Sequence, residues 1–256
     1  MPISLALIES FGLYLVRTSV LILGTPLLGT GSGFSSYKIA LIMAVTVVIF
    51  LSTGEVLPQQ VEIMEYGMMC FHEVVVGVFL AFSMQIVLVA VRTAGEIIGT
   101  EMAFNMASIV NPGTGINTPL ITQVYEAVFF LGLLSVNGHH WLIRSLGNSF
   151  DRAPIGGIGL KDGMVGMVTE LFSRMFSAGL VFAGPVVALL VLISVAIGLL
   201  SRVVPQVNVM EVGFNLRVIT GLLAIFIFSP YLGPAMDTLY AELMTALNNC
   251  LDVLGG

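Results

Sequence analysis

Hydrophobic positions run along this chain in long blocks and do not alternate with polar ones. Four blocks hold no charge at all: residues 74–91 (18 residues), 127–143 (17), 175–201 (27) and 218–236 (19). Each is near or above the roughly 20 apolar residues that carry a helix across a hydrocarbon core about 30 Å thick. Two further blocks are apolar but interrupted, since 5–28 contains Glu9 and Arg17, and 39–57 breaks at Ser52, Thr53, Gly54 and Glu55. The pattern predicts six helical segments, and hence an all-α integral membrane fold of kinked helical hairpins.

Glycine and proline punctuate these blocks. The runs Gly24-Thr25-Pro26, 29–33, 111–115 and 156–159 are turn or loop signals. Pro185 falls inside the longest block and Pro205 just past its end, so kinked or broken helices are expected there. Gly95 and Gly99 stand four apart in GEIIG, a spacing that lets two helices approach closely.

Composition adds the scale of the apolar excess: 57% of the 256 residues are hydrophobic and 9% charged, against about 45–50% and about 25% in soluble domains. One soluble core of this size cannot hide that much apolar surface, so the excess must face lipid or other subunits. A net charge of −6 with scattered basic residues leaves no footprint for nucleic acid. The first residues, MPISLALIES, lack a basic region and a small-residue cleavage site, so they are expected to stay in the mature protein. Lysine and arginine are not concentrated in one set of loops. The longest polar connection, 144–174, mixes Arg144, Arg152, Lys161 and Arg174 with Asp151, Asp162 and Glu170. So weak an orientation signal fits helices packed on protein as well as on lipid.

Charges inside apolar helices cost roughly 2.5–3.5 kcal/mol each at mid-bilayer, which makes Glu9, Arg17, Glu73, Arg92, Glu96, Glu101, Glu126 and Arg202 the functional candidates. Arg92 and Glu96 lie one turn apart and could pair with each other. The other reading open to these charges is capping of segment ends or pairing between subunits. His139 and His140 lack a carboxylate or cysteine at a metal-ligand offset, Cys70 and Cys250 stand far apart, and Ser194 and Ser201 have no nucleophile context. No catalysis, cofactor or metal is signalled. The stretch 105–122, NMASIVNPGTGINTPLIT, is uncharged but barred from continuous helix by Pro112, Gly113 and Pro119. Irregular backbone at membrane depth is tolerated only against protein or a water-filled cavity, so the stretch is either an exterior loop or a re-entrant plug.

Three segments carry a resemblance. GEIIGTEMAFNMASIVNPGTG (95–115), NGHHWLIRSLGNSFDRAPIG (137–156) and GPVVALLVLISVAIGLLSRVVPQVNVMEVGFNLRVITG (184–221) together resemble the FliR family of flagellar biosynthetic proteins and its injectisome counterparts in type III secretion. SRVVPQVNV followed by VGFNL is the specific element; GE-x-x-G alone is not. The resemblance implies a non-enzymatic subunit of an export gate for unfolded substrates. Its implied partners are FliP-like and FliQ-like subunits, an FlhB-like protein and an FlhA-like ring, in the bacterial inner membrane at the base of the flagellar basal body. It implies a FliP-like part over 1–174 and a FliQ-like hairpin over 175–256. The pore plug would comprise Asn105, Met106, Ile109, Val110, Asn111, Pro112, Gly113, Thr114, Gly115, Ile116 and Asn117. The hairpin bend over 201–214 would hold Arg202, Pro205, Gln206 and Asn208. Glu101 departs from the family pattern, where a neutral amide is expected. The rival reading is a small secondary transporter or channel, which also uses broken helices and buried charges.

Overall fold

The computed structural model describes residues 5–25, 36–58, 61–104, 119–155, 164–204 and 209–255. Every regular element in them is helical: α1 (Leu5–Gly24), α2 (Ser36–Thr53), α3 (Ile63–Glu101), α4 (Leu120–Ser135), α5 (Gly138–Arg152), α6 (Met164–Val203) and α7 (Val209–Gly255). Five of these helices are long and apolar enough to cross a membrane, and α4 with α5 form a bent pair that would be a sixth. The all-α fold read from the block pattern is the fold observed, with helices long and apolar enough to cross a membrane.

The block boundaries shift in instructive ways. α3 runs well past the uncharged block 74–91 at both ends, because Glu65 and Glu73 on one side and Arg92 and Glu96 on the other interrupt hydropathy but not helix propensity. α2 stops where the polar break is, with Gly54 at φ +68° and its N–H donating to the Phe50 carbonyl at 3.0 Å. Only glycine takes that left-handed position without a Cβ penalty. The block 127–143 is not one helix: it divides at Val136 and Asn137, where Asn137 adopts φ 58°. Asparagine tolerates that conformation where most residues do not. The following α5 is amphipathic, burying Leu142, Leu146, Ser149 and Phe150 while Arg144, Asp151 and Arg152 stay exposed. The breaks expected at proline do not occur within the helices. Pro185 lies inside continuous α6, and Pro230 and Pro234 inside continuous α7. A transmembrane helix tolerates the lost hydrogen bond because neighbouring groups re-satisfy the freed carbonyl.

The chain divides into two compact units, neither of them one continuous stretch. The first comprises 1–86, 134–171 and 241–256; the second comprises 87–133 and 172–240. The core of the first gathers Tyr14, Leu21, Ile49, Val76, Leu80, Leu146, Phe150 and Cys250. The stacked rings of Tyr14 and Phe150, 4.4 Å apart, lie in this core. In the second unit α7 folds back on α6, with Gly213 3.6 Å from Ile197 by the reach of a methyl group. Gly179 of α6 lies against the Ala90 carbonyl of α3, where a Cβ would come within 2.8 Å.

Candidate functional site

In the first unit the embedded charges of α1 and α3 meet. Gly77 lets α3 approach α1 so closely that a Cβ there would lie 2.9 Å from Val20 Cβ and 3.0 Å from the Arg17 carbonyl. Glu73, one turn earlier, accepts a hydrogen bond from Arg17 Nε at 2.5 Å, and both side chains are fully buried. Arg17 Nη1 donates to Ser149 Oγ at 3.2 Å and Nη2 to the Ala153 carbonyl at 2.9 Å. The guanidinium also lies 4.1 Å from the centre of the Phe150 ring. One arginine therefore ties α1, α3 and the end of α5 together. His72 Nδ1 is 3.9 Å from the second Glu73 oxygen, Oε1. The expectation that embedded charges cap segment ends or pair between subunits fails here, since this pair closes within the chain.

In the second unit, α3 and α4 make the other charge contact. Arg92 Nε donates to Glu126 Oε1 at 2.5 Å, with the two side chains 39% and 22% exposed. The candidate partner one turn away, Glu96, instead lies on the exposed side of α3. An interhelical carboxylate that is partly shielded gains more from Arg92 than a solvated neighbour one turn away, which is worth only a few tenths of a kcal/mol. Glu101 is half-buried in the last turn of α3.

The two glycines of GEIIG face the start of α4. A Cβ at Gly95 would lie 2.5 Å from Thr122 Cα, and one at Gly99 would overlap Pro119 Cβ and come 3.0 Å from its Cγ. Three residues beyond Gly99, the fully buried Met102 fills the space beside Gly221 of α7, where a Cβ would be 2.5 Å from Met102 Cγ. Past this point α3 ends in a two-bond cap: Ala103 N–H donates to the Thr100 carbonyl at 2.9 Å and Phe104 N–H to the Gly99 carbonyl at 3.0 Å. Ala103 takes φ 62°, the left-handed position usually held by glycine. On the α4 side, the Thr122 N–H donates to the Pro119 carbonyl at 3.0 Å.

The plug residues Asn105 to Asn117, like Pro205, Gln206 and Asn208 of the bend, lie outside the described residues. Of the bend residues only Arg202 is described, in the last turn of α6. The same unit holds an apolar groove of about 520 Å³ between α4, α6 and α7, lined among others by Tyr125, Phe182, Pro185, Phe228 and Tyr231. Among the described residues no three metal-ligating side chains converge.

Sequence reasoning named Arg17, Glu73 and Glu126 as embedded charges but not their pairing. It missed Ser149, Ala153, Met102 and Gly221 altogether. A charge balance across α1 and α3 was the only available signal for the first pair; a backbone carbonyl acceptor leaves none.

The family profile described as Bacterial export proteins, family 1, matches residues 8–243. The chain is 32% identical to the flagellar biosynthetic protein FliR of Escherichia coli (strain K12) over 94% of its own length and 92% of that protein. It is 28% identical to FliR of Bacillus subtilis (strain 168) over 97% of each. To the surface presentation of antigens protein SpaR of Shigella sonnei it is 24% identical over 62% of this chain. Whole-chain coverage, a matching family profile and an all-helical apolar fold lead to one conclusion: the chain belongs to the FliR family of bacterial export proteins.

Proposed function

We propose that this chain is a non-enzymatic core subunit of the flagellar type III export gate. In this reading it forms, with FliP-like and FliQ-like subunits, the inner-membrane pore through which unfolded substrates leave, beside an FlhB-like protein and above an FlhA-like ring. The observation that carries the reading is the mismatch between α6 and a bilayer. Its exposed large apolar side chains run from Phe172 to Val203. That stretch rises about 46 Å at about 1.5 Å per residue, against a hydrocarbon core of about 30 Å. Lipid alone would cover it only at a tilt of about 50°, outside the usual range of about 0–40°. Protein partners must cover the remainder. Burial within the chain points the same way: 67% of the most apolar window of α3 is buried, but only 22% for α6 and 17% for α7. The most apolar helix is thus among the least covered.

The segment 105–122 serves in this reading as the pore plug, its last residues, 120–122, forming the first turn of α4, and 201–214 as the cytoplasmic bend of a FliQ-like hairpin that begins at residue 175, after a FliP-like part over 1–174. The helical ends at Val203 and Val209 and the contact of Gly213 with Ile197 support a hairpin there. A flagellar system is favoured over an injectisome because the FliR proteins of Escherichia coli and Bacillus subtilis align over 94% and 97% of the chain at 32% and 28% identity, whereas SpaR of Shigella sonnei aligns over 62% at 24%.

The test is assembly. Expressed alone, the chain should aggregate or be degraded; with its FliP-like and FliQ-like partners it should enter one stable detergent-soluble complex. A monodisperse protein purified without partners would favour the transporter reading and overturn this one.

A further inference from the structure

The first turns of α3 carry an apolar stripe that stays exposed. Met64, Met68 and Phe71 stand at i, i+4 and i+7, hence on one helix face, and are 78%, 53% and 61% exposed; Ile63 beside them is 90% exposed. The opposite face is spent on α1, with Met69 buried against Leu13 and Glu73 holding Arg17. The stripe precedes the uncharged block 74–91. At about 1.5 Å per residue that block already spans about 27 Å of a hydrocarbon core about 30 Å thick.

Charge around the stripe has one sign. Glu65 flanks it, Glu62 directly precedes α3 and Glu55 lies just past the end of α2; all three are exposed. Their places are fixed by the packing beneath them. Leu57 is buried in the core with Leu13 and Met69, and its N–H donates to Ser10 Oγ at 2.9 Å, which pins the connection after Gly54 to α1. The Tyr66 N–H donates to the Glu62 carbonyl at 2.8 Å, and its hydroxyl to the Glu9 carbonyl at 3.1 Å. No lysine or arginine occurs from residue 39 to residue 91. The end of α5 reaches the same core through Ile155, but its Arg152 is taken by Asp252 at 2.9 Å, as Arg17 is by Glu73.

We propose that this end of the first unit is a docking surface for a basic amphipathic helix of a partner protein. Exposed methionines re-rotate to fit an apolar helix face. An apolar stripe rimmed by carboxylates complements a helix whose polar face carries lysine and arginine. Lipid suits the surface poorly, because carboxylates are costly in hydrocarbon and anionic headgroups attract basic side chains, not acidic ones. Neither the pore nor the plug enters this reading, so its test is independent of the proposed function.

The experiment places a photo-cross-linking benzophenone amino acid at Met64, and separately at Met68, of the full chain in its native membranes. Irradiation should join either position to one protein segment of helical length, identified by mass spectrometry of the joined peptide. That segment should hold an excess of lysine and arginine, with apolar residues at i, i+3 or i+4, and i+7. Glu55→Gln with Glu62→Gln and Glu65→Gln should lower the yield about 3- to 150-fold, the product of three exposed ion pairs of ordinary strength. Raised salt should lower the yield of the parent but change the triple variant little. All three positions are exposed, and the amount of chain in the membrane is the control for folding. Glu62→Lys with Glu65→Lys should abolish the cross-link, and glutamate in place of two basic residues of the captured segment should restore it. A merely apolar contact would not give that rescue. Adducts with lipid alone, a neutral or acidic captured segment, a yield indifferent to the triple substitution, no rescue, or no adduct at either position would each overturn the proposal.

Discussion

Breaking the Arg17–Glu73 pair should be the most destructive polar substitution in the first unit. Both side chains are fully buried and 2.5 Å apart, and Arg17 spends its remaining contacts on Ser149, the Ala153 carbonyl and the Phe150 ring. Glu73→Gln leaves an acceptor near Arg17 Nε but removes the compensating charge. Arg17→Met leaves a buried carboxylate whose Oε1 makes no hydrogen bond to the protein. Each should cost about 3–5 kcal/mol, the usual penalty for stranding one member of a buried pair. For a chain of this size that lowers the unfolding midpoint by about 6–20 °C. Ser149→Ala removes a single acceptor at 3.2 Å and should cost about 1.5 kcal/mol. The double variant Arg17→Met with Glu73→Leu removes both charges together, so it should fall within about 1 kcal/mol of the parent or exceed it. The assay is the thermal midpoint of the purified complex, followed by loss of its size-exclusion peak. Singles within about 1 kcal/mol of the parent, or a double variant that costs the sum of the singles, would refute the reasoning.

Arg92→Ala breaks an ion pair that is 39% and 22% exposed, and by the same assay it should cost at most about 1 kcal/mol. Ala103→Gly relieves a left-handed φ of 62° and should raise the midpoint by the equivalent of about 1 kcal/mol; Ala103→Val should lower it. Tyr240→Phe removes the hydrogen bond donated to the Phe129 carbonyl at 3.0 Å, for a loss of about 1 kcal/mol. A cysteine at Val207, with Cys70 and Cys250 replaced, should react with an impermeant maleimide in inverted vesicles and little in intact cells. Labelling only from outside reverses the topology, and no labelling from either side indicates a buried kink in place of a hairpin.

Residue order alone was enough for the class of molecule, the approximate place of most of the long apolar helices and the family. Membrane insertion is close to a sum over consecutive residues, so blocks such as 175–201 declare themselves without any knowledge of neighbours. The end of α2 at Gly54 was legible for a related reason, since a helix stop is written in a few adjacent residues. The small spacing of Gly95 and Gly99 was legible too, but not that Thr122 and Pro119 occupy it. Pairing is another matter, because it depends on which helices pack together. Arg17 and Glu73 are 56 residues apart, and the arginine's other partners lie 132 and 136 residues away. Periodicity says which face of a helix a residue lies on, but not which helix comes to that face. Arg92 shows this in miniature: local spacing allowed Glu96, while the approach of α4 supplied Glu126, a partner in a less solvated setting. The division at Asn137 was hidden similarly, because block hydropathy ignores a single left-handed residue, and its cost is accepted only once packing rewards the bend that follows.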